Sequence, residues 1–353
     1  MRRVTTLAAA VLAGALVLTS CGGDSGDDEA DTTPKGDDTS SSAPASDVKV
    51  GLAYDIGGRG DQSFNDAAAA GLDKAADEFG IETNEAEAAN GEPESAKEER
   101  LRALAGAGFN PVIAVGFAYS GAVKKVAGEL PDTQFAIIDD AAATGDNIAN
   151  LLFAEEQGSF LVGAAAALKS ESGNIGFVGG VDVPLIHKFE AGYEAGAKEV
   201  NPDIEVQVKY LTQPPDFSGF GDPAKGKTAA AGMYDKGADV VYQAAGGSGG
   251  GVFEAAQDAG AYAIGVDSDQ YNTADPKVRD VIITSMLKKV DVAVYDFISS
   301  VVEGNFTAGP VTYDLEKDGV GYSTSGGQID DITSKLDDYK QQIIDGSITV
   351  PTK

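Results

Sequence analysis

The side chains able to do chemistry in this 353-residue chain are overwhelmingly carboxylates: 56 Asp and Glu stand against 26 Lys and Arg, a formal net charge of −30. There is one cysteine, Cys21, and one histidine, His187. Ser-His-Asp or Cys-His catalysis has almost no material here. His187 lies in the helical pattern Pro184-Leu185-Ile186-His187-Lys188-Phe189, where a structural or surface role is expected. Zinc needs more nitrogen and sulfur ligands than this. Asp267-Ser268-Asp269 lacks the glycine and glutamate that complete a calcium loop. No metal and no cofactor is therefore expected. Carboxylate pairs such as Asp139-Asp140 could serve glycoside hydrolysis, but neighbours on a strand end point different ways, so no enzyme activity is expected. The run Gly246-Gly247-Ser248-Gly249-Gly250-Gly251 has no Lys-Ser/Thr after it and cannot complete GxGxxG. It reads as a loop that brings backbone N–H groups close to a neutral ligand.

The elements that must position these residues alternate along the chain. Strand-like β-branched runs fall at Val48–Tyr54, Pro111–Val115, Phe135–Ile138, Asn174–Val178, Glu205–Tyr210, Val240–Gln243, Tyr262–Val266 and Val281–Ser285. Longer helical patterns separate them, among them Asn65–Glu78, Glu94–Ala107, Ile186–Val200 and Val290–Val302. Such alternation predicts the α/β class, with parallel sheets covered by helices on both faces. Ligands of such sheets bind beyond the carboxyl ends of the strands. Asp55, Gly116-Phe117, Asp139-Asp140, Gly179-Gly180, Gly246-Gly247 and Asp267 all stand just after strand-like runs. One such carboxylate is as readily a turn former as a ligand group; several together predict a cleft lined by acids and glycines.

The amino terminus has a different character. Arg2 and Arg3 precede an apolar run from Leu7 to Leu18 and small residues before Cys21. That is the layout of an export signal, and the run is shorter than the roughly 20 residues a membrane span needs. Leu18-Thr19-Ser20-Cys21 is similar to the lipobox of bacterial lipoproteins, which implies diacylation of Cys21 and anchoring at the extracytoplasmic face of the cell membrane. Residues 22–47 carry eight acids, one lysine and no aliphatic larger than alanine, the composition of a disordered tether. The remainder from Val48 keeps a net charge of −25, with no basic stripe, so nucleic acid is not an expected partner.

An ordered set of segments carries a resemblance through nearly the whole folded region. It includes Gly60-Asp61-Gln62-Ser63-Phe64-Asn65, Glu156-Gln157-Gly158-Ser159-Phe160-Leu161-Val162-Gly163, Phe189-Glu190-Ala191-Gly192-Tyr193, Asp222-Pro223-Ala224-Lys225-Gly226-Lys227 and Ile264-Gly265-Val266-Asp267-Ser268-Asp269. The chain resembles the basic membrane protein family of ABC-transporter substrate-binding lipoproteins. The resemblance implies a type I periplasmic-binding-protein fold: two doubly wound lobes joined by three crossovers, near Asn150, Ser285 and Val311–Asp314. It implies a signal over residues 1–20, an anchor and tether over 21–47, a first lobe of 48–150 plus 285–311, and a second of 151–284 plus 312–353. It implies a monomer that delivers a nucleoside, purine favoured, to a membrane permease.

The family's nucleoside receptors imply roles for particular residues. Phe64 is a stacking ring with Asn65 the adjacent amide. Asp55 and Asp139 are the acids of the first lobe, Gly246 and Asp267 stand at strand ends of the second, and Lys288 lies just past the strand that returns to the first. Phe220 is the second ring, with Phe217 as the alternative. Phenyl rings stack on both faces of a base. Carboxylates accept its N–H groups and the ribose hydroxyls, and a lysine donates. Mostly negative anchors disfavour a nucleotide. The same fold could instead hold a sugar or a signalling molecule as a receptor, and a nucleoside hydrolase is a third reading, for which no general acid is evident.

Overall fold

The computed structural model describes residues 47–353. The expected signal, Cys21 and the acidic stretch up to residue 46 lie outside the described residues. No helix among the described residues is long and apolar enough to cross a membrane.

The chain runs β1 (Lys49–Ala53), α1 (Phe64–Phe79), β2 (Glu82–Ala86), α2 (Glu94–Gly106), β3 (Val112–Ala114), α3 (Ser120–Glu129), β4 (Phe135–Ile138) and β5 (Ile148–Phe153). It continues through α4 (Glu155–Lys169), β6 (Asn174–Val181), α5 (Pro184–Val200), β7 (Glu205–Thr212), α6 (Pro223–Tyr234), β8 (Val240–Ala244), α7 (Gly249–Ala259) and β9 (Tyr262–Asp267). Then come α8 (Gln270–Thr273), β10 (Ile282–Lys288), α9 (Val290–Val302), β11 (Gly309–Tyr313), β12 (Val320–Tyr322) and α10 (Thr333–Ile344).

Two six-stranded sheets result, ordered β11-β5-β4-β3-β1-β2 and β12-β10-β9-β8-β6-β7. All pairs are parallel except β10 with β12. Side chains alternate across a strand, so a sheet buried on both faces needs near-continuous apolar runs. β4, Phe135-Ala136-Ile137-Ile138, is buried at every position. Val50, Leu52, Ile113 and Ile138 join one core with α1 and α9, while Val112, Ala114, Phe135 and Ile137 join the opposite core with α2 and α3. The second sheet repeats the plan: Phe177, Tyr242 and Ile264 face α4 and α5, and Val178, Val241 and Ala263 face α6 and α7.

The chain passes between sheets three times: from β5 into α4, from β10 into α9, and from β11 into β12. The first two transitions come a few residues later than the expected positions at 150 and 285, and the third follows Tyr313, within the expected 311–314. β5 stays paired to β11 through Phe153, β10 stays paired to β9 as far as Leu287, and β11 runs to Tyr313. The last helix, α10, packs on the second sheet's side, with Leu336 in its core and Tyr339 edge-on to Phe160 at 5.8 Å. Four strands have no counterpart among the sequence-based runs. β2, Glu82-Thr83-Asn84-Glu85-Ala86, is a polar edge strand, and β12 has three residues; β5 and β11 carry the crossovers.

Candidate ligand-binding site

The carboxyl ends of β1, β3 and β4 in the first sheet and of β8, β9 and β10 in the second border one cavity with about 550 Å³ of unfilled space, part of it continuous with solvent. Asp55, Phe64, Asn65, Asp139, Phe220, Gly246, Asp267 and Lys288, all singled out from the sequence, line it together.

Local structure sets each one. Asp61 starts α1 by accepting the backbone N–H groups of Ser63 (2.9 Å), Asn65 (2.9 Å) and Asp66 (3.1 Å), donors that a helix leaves unpaired at its amino end. Phe64 is therefore the first residue of the helix. Asn65 has both ends of its amide engaged within the protein: Oδ1 accepts from Asp55 N at 3.1 Å, and Nδ2 donates to Asp61 at 3.0 Å. It ties the Asp55 loop to the helix start. Asp55 accepts from Ile56 N at 2.7 Å, and burial pushes its carboxyl up to about 6.

Asp139 and Asp267 occupy the same place in their sheets, at the ends of β4 and β9, with φ of 64° and 63°. Aspartate tolerates this left-handed conformation better than most residues, and there it turns the chain sharply off the strand. Lys288, the last residue of β10, donates to Asp139 Oδ2. The other oxygen of Asp139, Oδ1, is buried with no hydrogen-bond partner in the protein. Burial pushes Asp139 up to about 7, Lys288 opposing and Glu155 adding to the shift. Asp267 is also raised, by burial first, with Lys288 and the Ser63 hydrogen bond opposing.

Lys288 is enclosed, its side chain 2% exposed. Burial alone pulls its ammonium down, but Asp139, Glu155 and Asp267 outweigh this and hold it charged. Its Nζ stands 4.9, 5.1 and 5.6 Å from the ring centres of Phe64, Phe153 and Phe189, close enough for the ring quadrupoles to attract the charge.

Contacts between the two lobes close over the cavity. Ser63 Oγ donates to Asp267 Oδ2 at 2.6 Å, Ser268 Oγ to Ser63 O at 3.1 Å, and Gln270 Nε2 to Gln62 O at 3.0 Å. Phe220 lies against Gly180, whose missing side chain leaves room for the ring. Phe217 meets Phe117 edge-on at 6.0 Å and does not line the cavity, so of the two alternatives Phe220 is the one in the wall. Phe117, Phe189, Leu185, Ile186 and Val266 complete the apolar surface. Phe117 was visible as a residue following a strand; Phe189 and Ile186 had no such signal, since they look inward from one face of α5.

The arrangement can accept hydrogen bonds through acids, donate through one ammonium and stack a planar group on phenyl rings. His187 is elsewhere, exposed on α5 with Nε2 2.8 Å from Asp182 Oδ1. No group of His, Cys, Asp and Glu side chains suited to a metal ion occurs among the described residues.

Known proteins match this chain along its length. The family described as ABC transporter substrate-binding protein PnrA-like covers residues 48–353. The CD4+ T-cell-stimulating antigen of Listeria innocua is 35% identical over 363 residues, spanning 97% of this chain and 96% of that protein. The ABC transporter nucleoside-binding protein BmpA of Lactococcus lactis subsp. cremoris is 33% identical, spanning 100% and 99%. Among solved structures, an ABC transporter solute-binding protein from Aeropyrum pernix K1 superposes with a TM-score of 0.75 at 32% identity, over 87% of this chain and 94% of that one.

Proposed function

The chain belongs to the PnrA-like family of ABC transporter substrate-binding proteins, and from that premise we propose that it captures a nucleoside, purines before pyrimidines, between its lobes. The observation that carries the reading is Asp139, whose Oδ1 is buried without a partner beside Lys288 in a cavity walled by phenyl rings. An unpaired buried acceptor is costly, and a ligand N–H or O–H relieves it. A base supplies that donor together with two faces for stacking on Phe64 and Phe220, and ribose hydroxyls suit Asp267 as acceptor and Lys288 as donor. The similarity to a nucleoside-binding relative supports the same ligand class.

Two lobes that meet around the ligand suit capture and release to a permease in the membrane, not turnover. The protein acts as a monomer held at the extracytoplasmic face by lipid on Cys21. Relatives named as lipoproteins, one from Pyrococcus abyssi 36% identical over 81% of this chain, support that placement.

Calorimetry of the ligand-stripped protein with adenosine, guanosine, inosine, uridine and ribose tests the ligand. Heat is expected with the purine nucleosides and little with ribose; silence with every nucleoside overturns the reading. Phe64→Ala should weaken the nucleoside by about 10- to 100-fold, the value of one ring–base stack of about 1–3 kcal/mol.

A further inference from the structure

Asp139, Lys288 and Glu155 form a buried chain of alternating charge that continues to Lys188 on α5. Lys288 Nζ donates to Asp139 and stands 3.7 Å from Glu155 Oε1; Lys188 Nζ donates to Glu155 Oε2 at 3.0 Å. Glu155 is 1% exposed and Lys188 34%. Neither lines the cavity. Glu155 opens α4, where the positive end of the helix dipole favours a carboxylate. It also stands directly after the first crossover, as Lys288 stands directly before the second.

The ligand-facing ammonium therefore has three buried counter-charges, Asp139, Asp267 and Glu155, and Glu155 is the one that does not line the cavity. We propose that Glu155 is a specificity-determining positioning residue: it fixes the Lys288 ammonium from behind and matches its charge, so that the cavity accepts a neutral nucleoside and rejects its 5′-phosphate. Without Glu155, only Asp139 and Asp267 would balance Lys288, and both line the cavity as acceptors for the ligand. Lys188 tunes the same balance in the opposite sense, because it offsets the charge of Glu155. The inference rests on the nucleoside reading above and goes beyond it in naming what excludes the anion.

The experiment measures, on the full chain, the affinities of adenosine, guanosine, inosine and uridine and of their 5′-monophosphates, by competition titration that reaches millimolar binding. It compares the parent with Glu155→Gln and Lys188→Met. Between the dielectric of a protein site, about 20, and that of water, about 80, one unit charge about a nanometre from a dianionic phosphate changes affinity by roughly four-fold to a few hundred-fold. Glu155→Gln should therefore reduce the preference for nucleoside over monophosphate about four-fold or more, and Lys188→Met should increase it. A loss of packing would move both variants the same way, so shifts of equal sign, or none in either, overturn the proposal. Should Glu155→Gln fail to fold, as read by thermal unfolding, the decision rests on Lys188→Met, and an unchanged preference there overturns it. A parent that binds no nucleoside defeats the functional reading itself, an outcome distinct from a parent that binds with a preference insensitive to both substitutions.

Discussion

The two sheets have the same strand order, and each ends its β4 or β9 strand in an aspartate of left-handed conformation. They differ in what holds that acid. Asp139, in the first lobe, is held by the ammonium of Lys288, which ends a strand of the second sheet. Asp267, in the second lobe, is held by the hydroxyl of Ser63, which precedes the first helix of the first lobe. Each acid is thus bonded from the opposite lobe, and neither half of the site is complete alone. One strand over, the contacts stay within each lobe: Gly116 (φ 97°) leaves room for an oxygen of Asp55, and Gly246 (φ 54°) lies against the backbone of Phe220. One scaffold used twice yields an ionic anchor in one lobe and a neutral one in the other.

That contrast predicts unequal consequences. Asp139→Ala leaves Lys288 buried with its nearer counter-charge gone, and should cost about 3–5 kcal/mol of stability and at least roughly a hundred-fold in nucleoside affinity. Asp267→Ala should cost affinity too, but only about 1–2 kcal/mol of stability, since a hydroxyl is what loses its partner. Denaturant unfolding alongside calorimetry separates the two; equal stability losses would break the comparison.

The pH dependence is intermediate in size. Asp55 and Asp139 are raised by burial from 3.8 to about 6 and about 7. Over this window the folded state keeps protons that the unfolded chain has released, so their contribution to stability falls as pH rises from about 4 through about 7. Asp55→Asn should therefore gain in thermal midpoint relative to the ligand-stripped parent as pH climbs from about 4 through about 6, then level off. A constant difference across that range would place the Asp55 carboxyl at its ordinary value. The smallest effect is expected of Ser63→Ala, which removes one hydrogen bond between the lobes: about 1 kcal/mol, or roughly five-fold in nucleoside affinity.

Much of this site was legible in the sequence because an α/β sheet places its ligand groups after its strands. Asp55, Asp139, Gly246 and Asp267 follow buried β-branched runs, and reading the runs located the residues. Glu155 escaped for the same reason in reverse. It follows β5, Ile148-Ala149-Asn150-Leu151-Leu152-Phe153, which does not stand out as a strand, so no strand end was marked before it. β2 has little apolar content to mark it; backbone pairing along β1 makes it a strand. Asn65 lines the cavity, but its amide bonds to Asp55 and Asp61 appear only once the loop closes on the helix.

What the sequence determined by itself was the alternation of buried strands with helices and the near absence of nucleophilic chemistry, because periodicity and composition are local properties. What only the tertiary structure decided was pairing: Lys288 with Asp139 across 149 positions, Ser63 with Asp267 across 204, and Glu155 behind Lys288. The strength of a buried charge pair depends on distance and on the exclusion of water, and neither quantity exists until the two sheets face each other.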